Sequence, residues 1–269
     1  MNYPEFRKAL TQGKTQMGFC IMYPAAGIAE RCGQDWDWLW LDGQHGQMGY
    51  QDLLGLVRAA DVVRKPSFVR VPWNEFGAIA QAADMLPQGI IVPCVSTVAE
   101  AQAAVRAAKL PPLGNRSYGG RRPCDLLTRL YSNTANEDLM LICQIETPEA
   151  IENAEAIAAL PGVDGLFLGP DDIMLRRGYT MDAPKNQESL GKDMEAVMAA
   201  CRKHGKVGVM VGVGTEMLTL CLKTGFQMIV GGGDVSCMGS TSAQWSKDAR
   251  ATIAGFKPSG KPAGATSPY

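Results

Sequence analysis

The chain has 269 residues, of which 46% are hydrophobic and 20% are charged, and its formal net charge is −1. This balance excludes a chain that is basic throughout, as nucleic-acid binders usually are, and no apolar run reaches the roughly 18 residues that a membrane-spanning helix needs. The first residues lack a signal-peptide pattern, and the eight cysteines form no CxxC or CxxH pair. We therefore expect a cytoplasmic protein without disulfides or structural zinc.

Eight short apolar runs alternate with amphipathic stretches along the chain. The runs lack strict polar–apolar alternation, which is typical of strands buried on both faces. The predicted strands are 17–23, 38–43, 67–73, 89–95, 139–146, 165–170, 206–212 and 227–233. The predicted helices are 49–61, 75–85, 97–109, 147–160 and 186–206, with a short helix at 124–132 after a long loop at 111–123.

Eight strand–helix units of about 34 residues predict an α/β protein with a single-domain (β/α)8 TIM barrel. We place the barrel at residues 1–257 and a disordered tail at 258–269, where Pro, Gly and Ser are frequent. A doubly wound open sheet is the main alternative. It would require a glycine-rich turn after the first strand, and the segment 17–26 has none.

Two carboxylates stand where consecutive strands of such a barrel end. Glu146 and Asp172 terminate the fifth and sixth predicted strands, and neighbouring strands lie ~4.8 Å apart. Catalytic groups of TIM barrels lie at these carboxyl ends, and paired carboxylates suit Mg²⁺ or another hard divalent cation. The alternative interpretation is that each carboxylate caps the helix that follows it.

Arg70, Asp42 and His45 also interrupt the apolar pattern at strand ends. A guanidinium in a buried strand is costly unless it is paired. Arg70 would either bind a substrate carboxylate and stabilise enolate charge or form a structural ion pair. His45 follows Asp42 by three residues, a spacing at which the carboxylate can orient the imidazole as a general base.

Three further features allow both a functional and a structural interpretation. Gly231–Gly233 could hold a phosphate or form a tight turn. Arg116, Arg121 and Arg122 could bind a distal carboxylate of the substrate or form a solvated basic face. We assign the five tryptophans to packing, since they form no stripe along the sequence.

The segments WLWLDGQHGQ, FVRVPW, QIETPEA and GLFLGPDDI occur in this order, and together they resemble the HpcH/HpaI aldolase family. The similarity covers nearly the whole chain. It implies a (β/α)8 barrel and a metal-dependent pyruvate aldolase. Such an enzyme reversibly cleaves a 4-hydroxy-2-oxo acid to an aldehyde and pyruvate, or a related 2-oxo acid such as hydroxypyruvate.

The resemblance also implies a role for each site residue. His45 would be the base with Asp42 as its orienting partner, Arg70 would bind the pyruvoyl group, and Glu146 and Asp172 would bind Mg²⁺, Mn²⁺ or Co²⁺. The residues implied to line the substrate pocket or hold the pyruvate carboxylate are Gln144, Gly169, Pro170 and Asp171. Asp84 would reach a neighbouring subunit's site in a homo-oligomer, typically a hexamer built as a trimer of dimers.

Two departures from the family pattern bear on the chemistry. The D-x-E-H motif has an amide, Gln44, in place of its carboxylate, which removes a negative charge near the predicted base. Ser117 stands where relatives usually have glycine. Neither change removes a residue that enolate chemistry needs, and no lysine lies inside a predicted strand, which favours a metal over a Schiff base.

Three other functions remain open from the sequence. One is an oxaloacetate-type decarboxylase or a carbon–carbon lyase of CoA esters on the same barrel. Another is a phosphate-binding isomerase or synthase that uses Gly231–Gly233. The third is a non-catalytic protein that binds sugar acids.

Overall fold

The strands of the chain close into a barrel in which each strand pairs in parallel with the next, and the last strand pairs with the first. A computed structural model describes residues 3–256. Its eight strands are Gln16–Ile21 (β1), Trp38–Asp42 (β2), Ser67–Arg70 (β3), Gly89–Val92 (β4), Met140–Ile145 (β5), Gly165–Leu168 (β6), Val207–Val211 (β7) and Met228–Gly233 (β8). The predicted (β/α)8 TIM barrel is confirmed, and every predicted strand is present.

Helices alternate with the strands along the chain. They are Pro4–Thr11 (α1), Ala26–Cys32 (α2), Tyr50–Val62 (α3), Phe76–Asp84 (α4), Val98–Ala108 (α5), Arg121–Leu127 (α6), Ala135–Asp138 (α7), Pro148–Glu152 (α8), Ala154–Ala158 (α9), Pro170–Arg176 (α10), Gln187–His204 (α11), Thr215–Thr224 (α12) and Asp234–Gly255 (α13). Short 3₁₀ turns occupy Gly33–Asp35 and Arg129–Asn133.

Two of the helices that were predicted by range differ in their bounds from the structure. The predicted helix 147–160 is divided at Asn153, whose side-chain Nδ2 donates to the backbone oxygen of Ser96 at 2.9 Å. The short helix near 124–132 begins three residues earlier, at Arg121, and its last part is a 3₁₀ turn. Pro123 was expected to lie in the loop, but proline is well tolerated in the first turn of a helix.

The inward faces of the strands form a core that is separate from the core beneath the helices. Trp38, Phe68 and Phe167 belong to the inner core, and the rings of Trp38 and Phe68 meet edge to face at 5.4 Å between centroids. Gly18 makes room for them, because a Cβ there would overlap the Trp38 ring. Phe6 of α1 packs into the same core at the amino ends of the strands, so that end of the barrel is filled.

Lys109 braces the amino ends of β5 and β6. Its buried Nζ donates to the backbone oxygens of Asn136 at 2.8 Å and Leu139 at 2.5 Å, and to Oδ2 of Asp164 at 3.1 Å. Burial lowers the pKa of Lys109 from its ordinary value. Leu139 and Asp164 immediately precede β5 and β6, so this contact stabilises the end of the barrel opposite the predicted site.

The barrel forms one compact unit that ends at Asp234, and a second unit begins at Val235. The described part of the second unit is the rest of α13, whose side chains are exposed. None of the helices within residues 3–256 is long and apolar enough to cross a membrane. The tail predicted at 258–269 lies outside the described residues, and the boundary predicted at 257 stays a prediction.

Candidate active site

Asp42 and Arg70 end neighbouring strands and form a buried ion pair. They are register partners in β2 and β3, and only 1% of Asp42 and 5% of Arg70 are exposed. The Arg70 Nε donates to Oδ1 of Asp42 at 2.8 Å, and Nη2 donates to Oδ2 at 2.5 Å. Two of the guanidinium nitrogens of Arg70 therefore form the structural ion pair that the sequence allowed. The third, Nη1, is not bound to Asp42.

The guanidinium of Arg70 also lies over an aromatic ring. Its Cζ is 4.6 Å from the ring centroid of Trp40, a distance at which a cation–π contact is favourable. Trp40 precedes Asp42 by two residues on β2, so both side chains point to the same face of the strand. Trp40 also belongs to the packed inner core, as expected for the tryptophans, and its two-residue spacing from Asp42 is the sequence signal that places it beside Arg70.

Gln144 connects Arg70 to Glu146. Nη1 of Arg70 lies 3.3 Å from Oε1 of Gln144, and Nε2 of Gln144 donates to Oε2 of Glu146 at 2.7 Å. This assigns the amide orientation, because a guanidinium can only donate and a carboxylate can only accept. The predicted residues of β2, β3 and β5 thus form one hydrogen-bonded chain across the mouth of the barrel.

Glu146 and Asp172 are the two carboxylates predicted to bind a metal; Glu146 directly follows β5, whereas Asp172 lies within α10, beyond the predicted end of the sixth strand. Glu146 is 2% exposed, and neither it nor Asp172 forms an ion pair with any residue in the range 3–256. Asp42 already balances the charge of Arg70. A buried carboxylate without a cation is costly, so Glu146 suits a divalent cation as its partner, while Asp172 is half-buried.

The number of protein ligands fits a cation that retains exchangeable positions. No cluster of three or more His, Cys, Asp or Glu side chains suited to a metal occurs among residues 3–256. A cation held by Glu146 and Asp172 alone would take its other ligands from substrate and water, as hard divalent cations commonly do. The pKa of the Cys94 thiol is raised to about 11, by burial first, then by a hydrogen bond to Glu146, and then by the charges of Glu146 and Asp172.

The turn from β6 into α10 lies against Glu146. A Cβ at Gly169 would lie 2.9 Å from Oε2 of Glu146 and 3.1 Å from Nε2 of Gln144, so the close approach of this turn requires glycine. Pro170 and Asp171 line a cavity of about 490 Å³ that opens beside the turn. Asp171 is exposed and pairs with Lys185 at 2.9 Å.

The structure does not show the expected contact between Asp42 and the imidazole of His45. Oδ1 of Asp42 accepts the backbone amides of Gln44 at 3.0 Å and His45 at 3.2 Å, and its remaining capacity goes to Arg70. The His45 side chain is exposed and carries no hydrogen bond to other described residues. The physical reason is that Arg70, one strand away and in register, offers a charged bidentate partner.

Gln44 occupies the position where the family motif has a carboxylate. Its Oε1 is buried and has no hydrogen-bond partner among residues 3–256. Nothing in the structure explains why an amide stands here.

Asp84 and the loop arginines lie in ion pairs away from the barrel mouth. Asp84, at the end of α4, accepts from Arg116 at 3.1 Å, and burial raises the pKa of Asp84 although Arg116 opposes this. Arg121 pairs with Asp125. Arg122 pairs with Asp61 at 2.5 Å. The loop therefore presents arginines that are already neutralised, and a contact of Asp84 with another subunit stays a prediction.

The glycines of β8 serve packing. Gly18 pairs with Val230 and Phe19 with Gly232, so Gly231 is the extra residue of a β-bulge. A Cβ at Gly231 would lie 2.9 Å from the ring of Trp36. The tight turn expected at this segment is not formed, because Gly231–Gly233 lie within β8 and are not among the glycines with a positive φ. Phosphate binding by this segment stays an alternative.

Comparison with known proteins identifies relatives over nearly the whole barrel. Residues 19–239 match the family model described as HpcH/HpaI aldolase/citrate lyase. The 4-hydroxy-2-oxovalerate aldolase of Rhodococcus jostii (strain RHA1) is 34% identical over 79% of this chain and 91% of its own length. The enzyme of the same name from Novosphingobium aromaticivorans is 40% identical over 64% of this chain and 67% of its own length.

Solved structures give the same result. An HpcH/HpaI aldolase/citrate lyase family protein from Burkholderia cenocepacia J2315 superimposes with a TM-score of 0.84 and 27% identity. The match covers 92% of this chain and all of the other chain.

Proposed function

The protein belongs to the HpcH/HpaI aldolase/citrate lyase family. We propose that its site of aldol cleavage is the hydrogen-bonded series of side chains formed by Asp42, Arg70, Gln144 and Glu146. The protein is a carbon–carbon lyase of the pyruvate aldolase type. It reversibly cleaves a 4-hydroxy-2-oxo acid to an aldehyde and pyruvate, or a related acid such as hydroxypyruvate. The observation that carries the assignment of the site is that neither Glu146 nor Asp172 forms an ion pair within residues 3–256, although Glu146 is buried and connected through Gln144 to the paired guanidinium of Arg70.

Glu146 and Asp172 would hold the divalent cation. Mg²⁺, Mn²⁺ and Co²⁺ all suit a site of carboxylates and water. When bound, such a cation supplies a Lewis acid next to the 2-oxo group of the substrate. The two carboxylates fix its position, and Gly169 keeps the space above Glu146 free of side-chain atoms.

The other residues bind the substrate and stabilise its charge. The backbone amides that follow Gly169 and Pro170 hold the carboxylate of the 2-oxo acid. Nη1 of Arg70 points away from Asp42 and stabilises the negative charge that develops on the enolate oxygen. The exposed imidazole of His45 takes the proton of the 4-hydroxyl group, through a water molecule where the distance requires it.

Cleavage of 4-hydroxy-2-oxovalerate, the substrate named in the two curated relatives, tests this proposal. Breaking its C3–C4 bond releases pyruvate and acetaldehyde in equal amounts, and pyruvate is followed with lactate dehydrogenase and NADH. We expect release by the wild type with Mg²⁺ or Mn²⁺ and a loss of at least about 100-fold in Glu146→Gln. Glu149→Gln, which changes an exposed carboxylate on α8, is the matched control.

Two outcomes would overturn the assignment. One is pyruvate release that is insensitive to chelators. The other is equal loss of activity in the Glu146 and Glu149 variants. The cytoplasmic location, the hexameric assembly and the role of Asp84 across a subunit boundary stay predictions that this assay does not address.

A further inference from the structure

The link that follows β4 directs one backbone amide at Glu146. Val95 donates its amide to the backbone oxygen of Gln144 at 3.2 Å, which continues the pairing with β5. Pro93 has no amide hydrogen to donate. The amide of Cys94, between them, donates to Oε1 of Glu146 at 2.6 Å.

Cys94 adopts a backbone conformation that strongly favours glycine. Its φ is +56°, in the left-handed region where a Cβ crowds the neighbouring carbonyl oxygen. Two contacts hold the link in place: Oγ of Ser96 lies 2.8 Å from Oγ1 of Thr147, and Asn153 donates to the backbone oxygen of Ser96. Because Thr147 directly follows Glu146, the link and the carboxylate are fixed to the same segment.

We propose that Cys94 is a positioning residue for the divalent cation, because its left-handed backbone places the amide on Oε1 of Glu146 and fixes the orientation of that carboxylate. Gln144 holds Oε2 from the other side at 2.7 Å, so each oxygen keeps a lone pair for the cation. Hydrogen bonds that orient metal ligands typically change metal affinity by about 10- to 100-fold. The inference rests on the proposed function, since it takes Glu146 as a metal ligand.

Substitutions at position 94 separate the backbone from the thiol. Mn²⁺ binding to the metal-free full chain is measured from the paramagnetic resonance signal of free Mn²⁺. Cys94→Gly favours the left-handed conformation and keeps the amide, so we expect a Kd within about twofold of the wild type. Cys94→Ala removes the thiol and keeps the amide, with the same expectation. Cys94→Val resists this conformation, and we expect a Kd raised about tenfold or more.

Two further variants control for strain and for misfolding. Arg64→Val places valine at another left-handed residue, with φ +57° on an exposed site, and we expect its Kd to be unchanged. Ser96→Ala removes the contact with Thr147, and neither of these two residues is a proposed metal ligand. We expect it to raise the Kd for Mn²⁺ about threefold. If circular dichroism shows that the Cys94→Val protein does not fold, the Kd of Ser96→Ala decides whether the link positions Glu146.

The outcomes distinguish this inference from the proposed function. Equal Kd values for the valine and glycine variants, or an unchanged Kd for Ser96→Ala, would overturn the positioning role and leave the proposed function in place. Equal losses in Cys94→Gly and Cys94→Ala would assign the effect to the thiol and would also overturn it. A wild type that binds no Mn²⁺ would overturn the proposed function and the inference together.

Discussion

At the scale of the residue, the guanidinium of Arg70 has a different task at each nitrogen. Nε and Nη2 hold the carboxylate of Asp42, while Nη1 faces Gln144 and the proposed substrate position. The ring of Trp40 lies against the same group. A planar fork with several donors can satisfy all three neighbours, and a lysine ammonium cannot.

Arg70→Lys should therefore retain the positive charge and lose catalysis. We expect kcat/KM to fall about 100-fold, which corresponds to ~2.7 kcal/mol of transition-state stabilisation. Steady-state cleavage of 4-hydroxy-2-oxovalerate measures the loss, and the Mn²⁺ Kd reports whether the cation site survives. Full activity in Arg70→Lys would show that only the charge of this residue matters.

The thiol of Cys94 gives a pH-dependent prediction for the metal-free protein. Burial and the carboxylates of Glu146 and Asp172 raise its pKa to about 11, so about one thiol in a thousand is ionised at pH 8. Since the thiolate reacts, we expect alkylation by iodoacetamide in EDTA to accelerate about tenfold per pH unit between pH 7 and 10. Peptide mass spectrometry follows Cys94 individually, with free cysteine as reference. A plateau near pH 9 would disprove the raised pKa.

At the scale of the element, the proposed site lies at the carboxyl ends of the strands. Because side chains alternate along a strand, residues two positions apart point to the same face. Asp42 and Trp40 share one face of β2, and Gln144 of β5 lies two residues before Glu146, which directly follows that strand. Where β6 passes into α10, Gly169 allows the turn to approach Glu146. The position of each ligand thus depends on the ends of these strands and on the turn after β6.

Gly169→Ala tests the dependence on that turn. The added methyl group would lie 2.8 Å from Cβ of Glu146, so the carboxylate must shift and we expect the Mn²⁺ Kd to rise more than about tenfold. Gly55→Ala is the matched control, since a Cβ at that helical position meets nothing within 4 Å. Equal affinities in both variants would contradict the geometry of the turn.

The sequence is sufficient to predict the eight strands and to nominate the site residues at their ends. Arg70 and Glu146 stand out because they interrupt runs that are otherwise apolar. The partner of Asp42 could not be predicted from spacing along the chain, because it depends on the register between β2 and β3. The role of the Cys94 amide was missed for a similar reason, since it depends on a left-handed backbone that the residue type disfavours.

At the scale of the whole molecule, the two ends of the barrel have different roles. The amino end is closed by α1 and stabilised by Lys109, whereas the carboxyl end carries the carboxylates of the proposed metal site. In TIM barrels the amino end contributes stability and the carboxyl end carries the chemistry. Substitutions at the amino end should therefore change stability and leave metal binding and catalysis largely intact, and substitutions at the carboxyl end should do the reverse.

Lys109→Met should lower stability without weakening metal binding. Removing the ammonium leaves the backbone oxygens of Asn136 and Leu139 without a donor, which we expect to cost about 2–4 kcal/mol and to lower Tm by roughly 5–15 °C. Lys203→Met, at an exposed ion pair with Glu155, is the matched control and should change stability by less than about 1 kcal/mol. A Tm equal to that of the control, or a changed Mn²⁺ Kd, would disprove this division of roles.

Deuterium exchange into the methyl group of pyruvate tests most directly whether these residues form a metal-dependent site for enolate chemistry. Proton NMR in D₂O follows the exchange, and no aldehyde acceptor needs to be known. With Mg²⁺ or Mn²⁺ we expect the wild type to exchange the methyl protons, and metal-stripped protein and Glu146→Gln to be at least about 100-fold slower. Exchange that persists without metal or in Glu146→Gln, or no exchange with any divalent cation, would contradict the assignment.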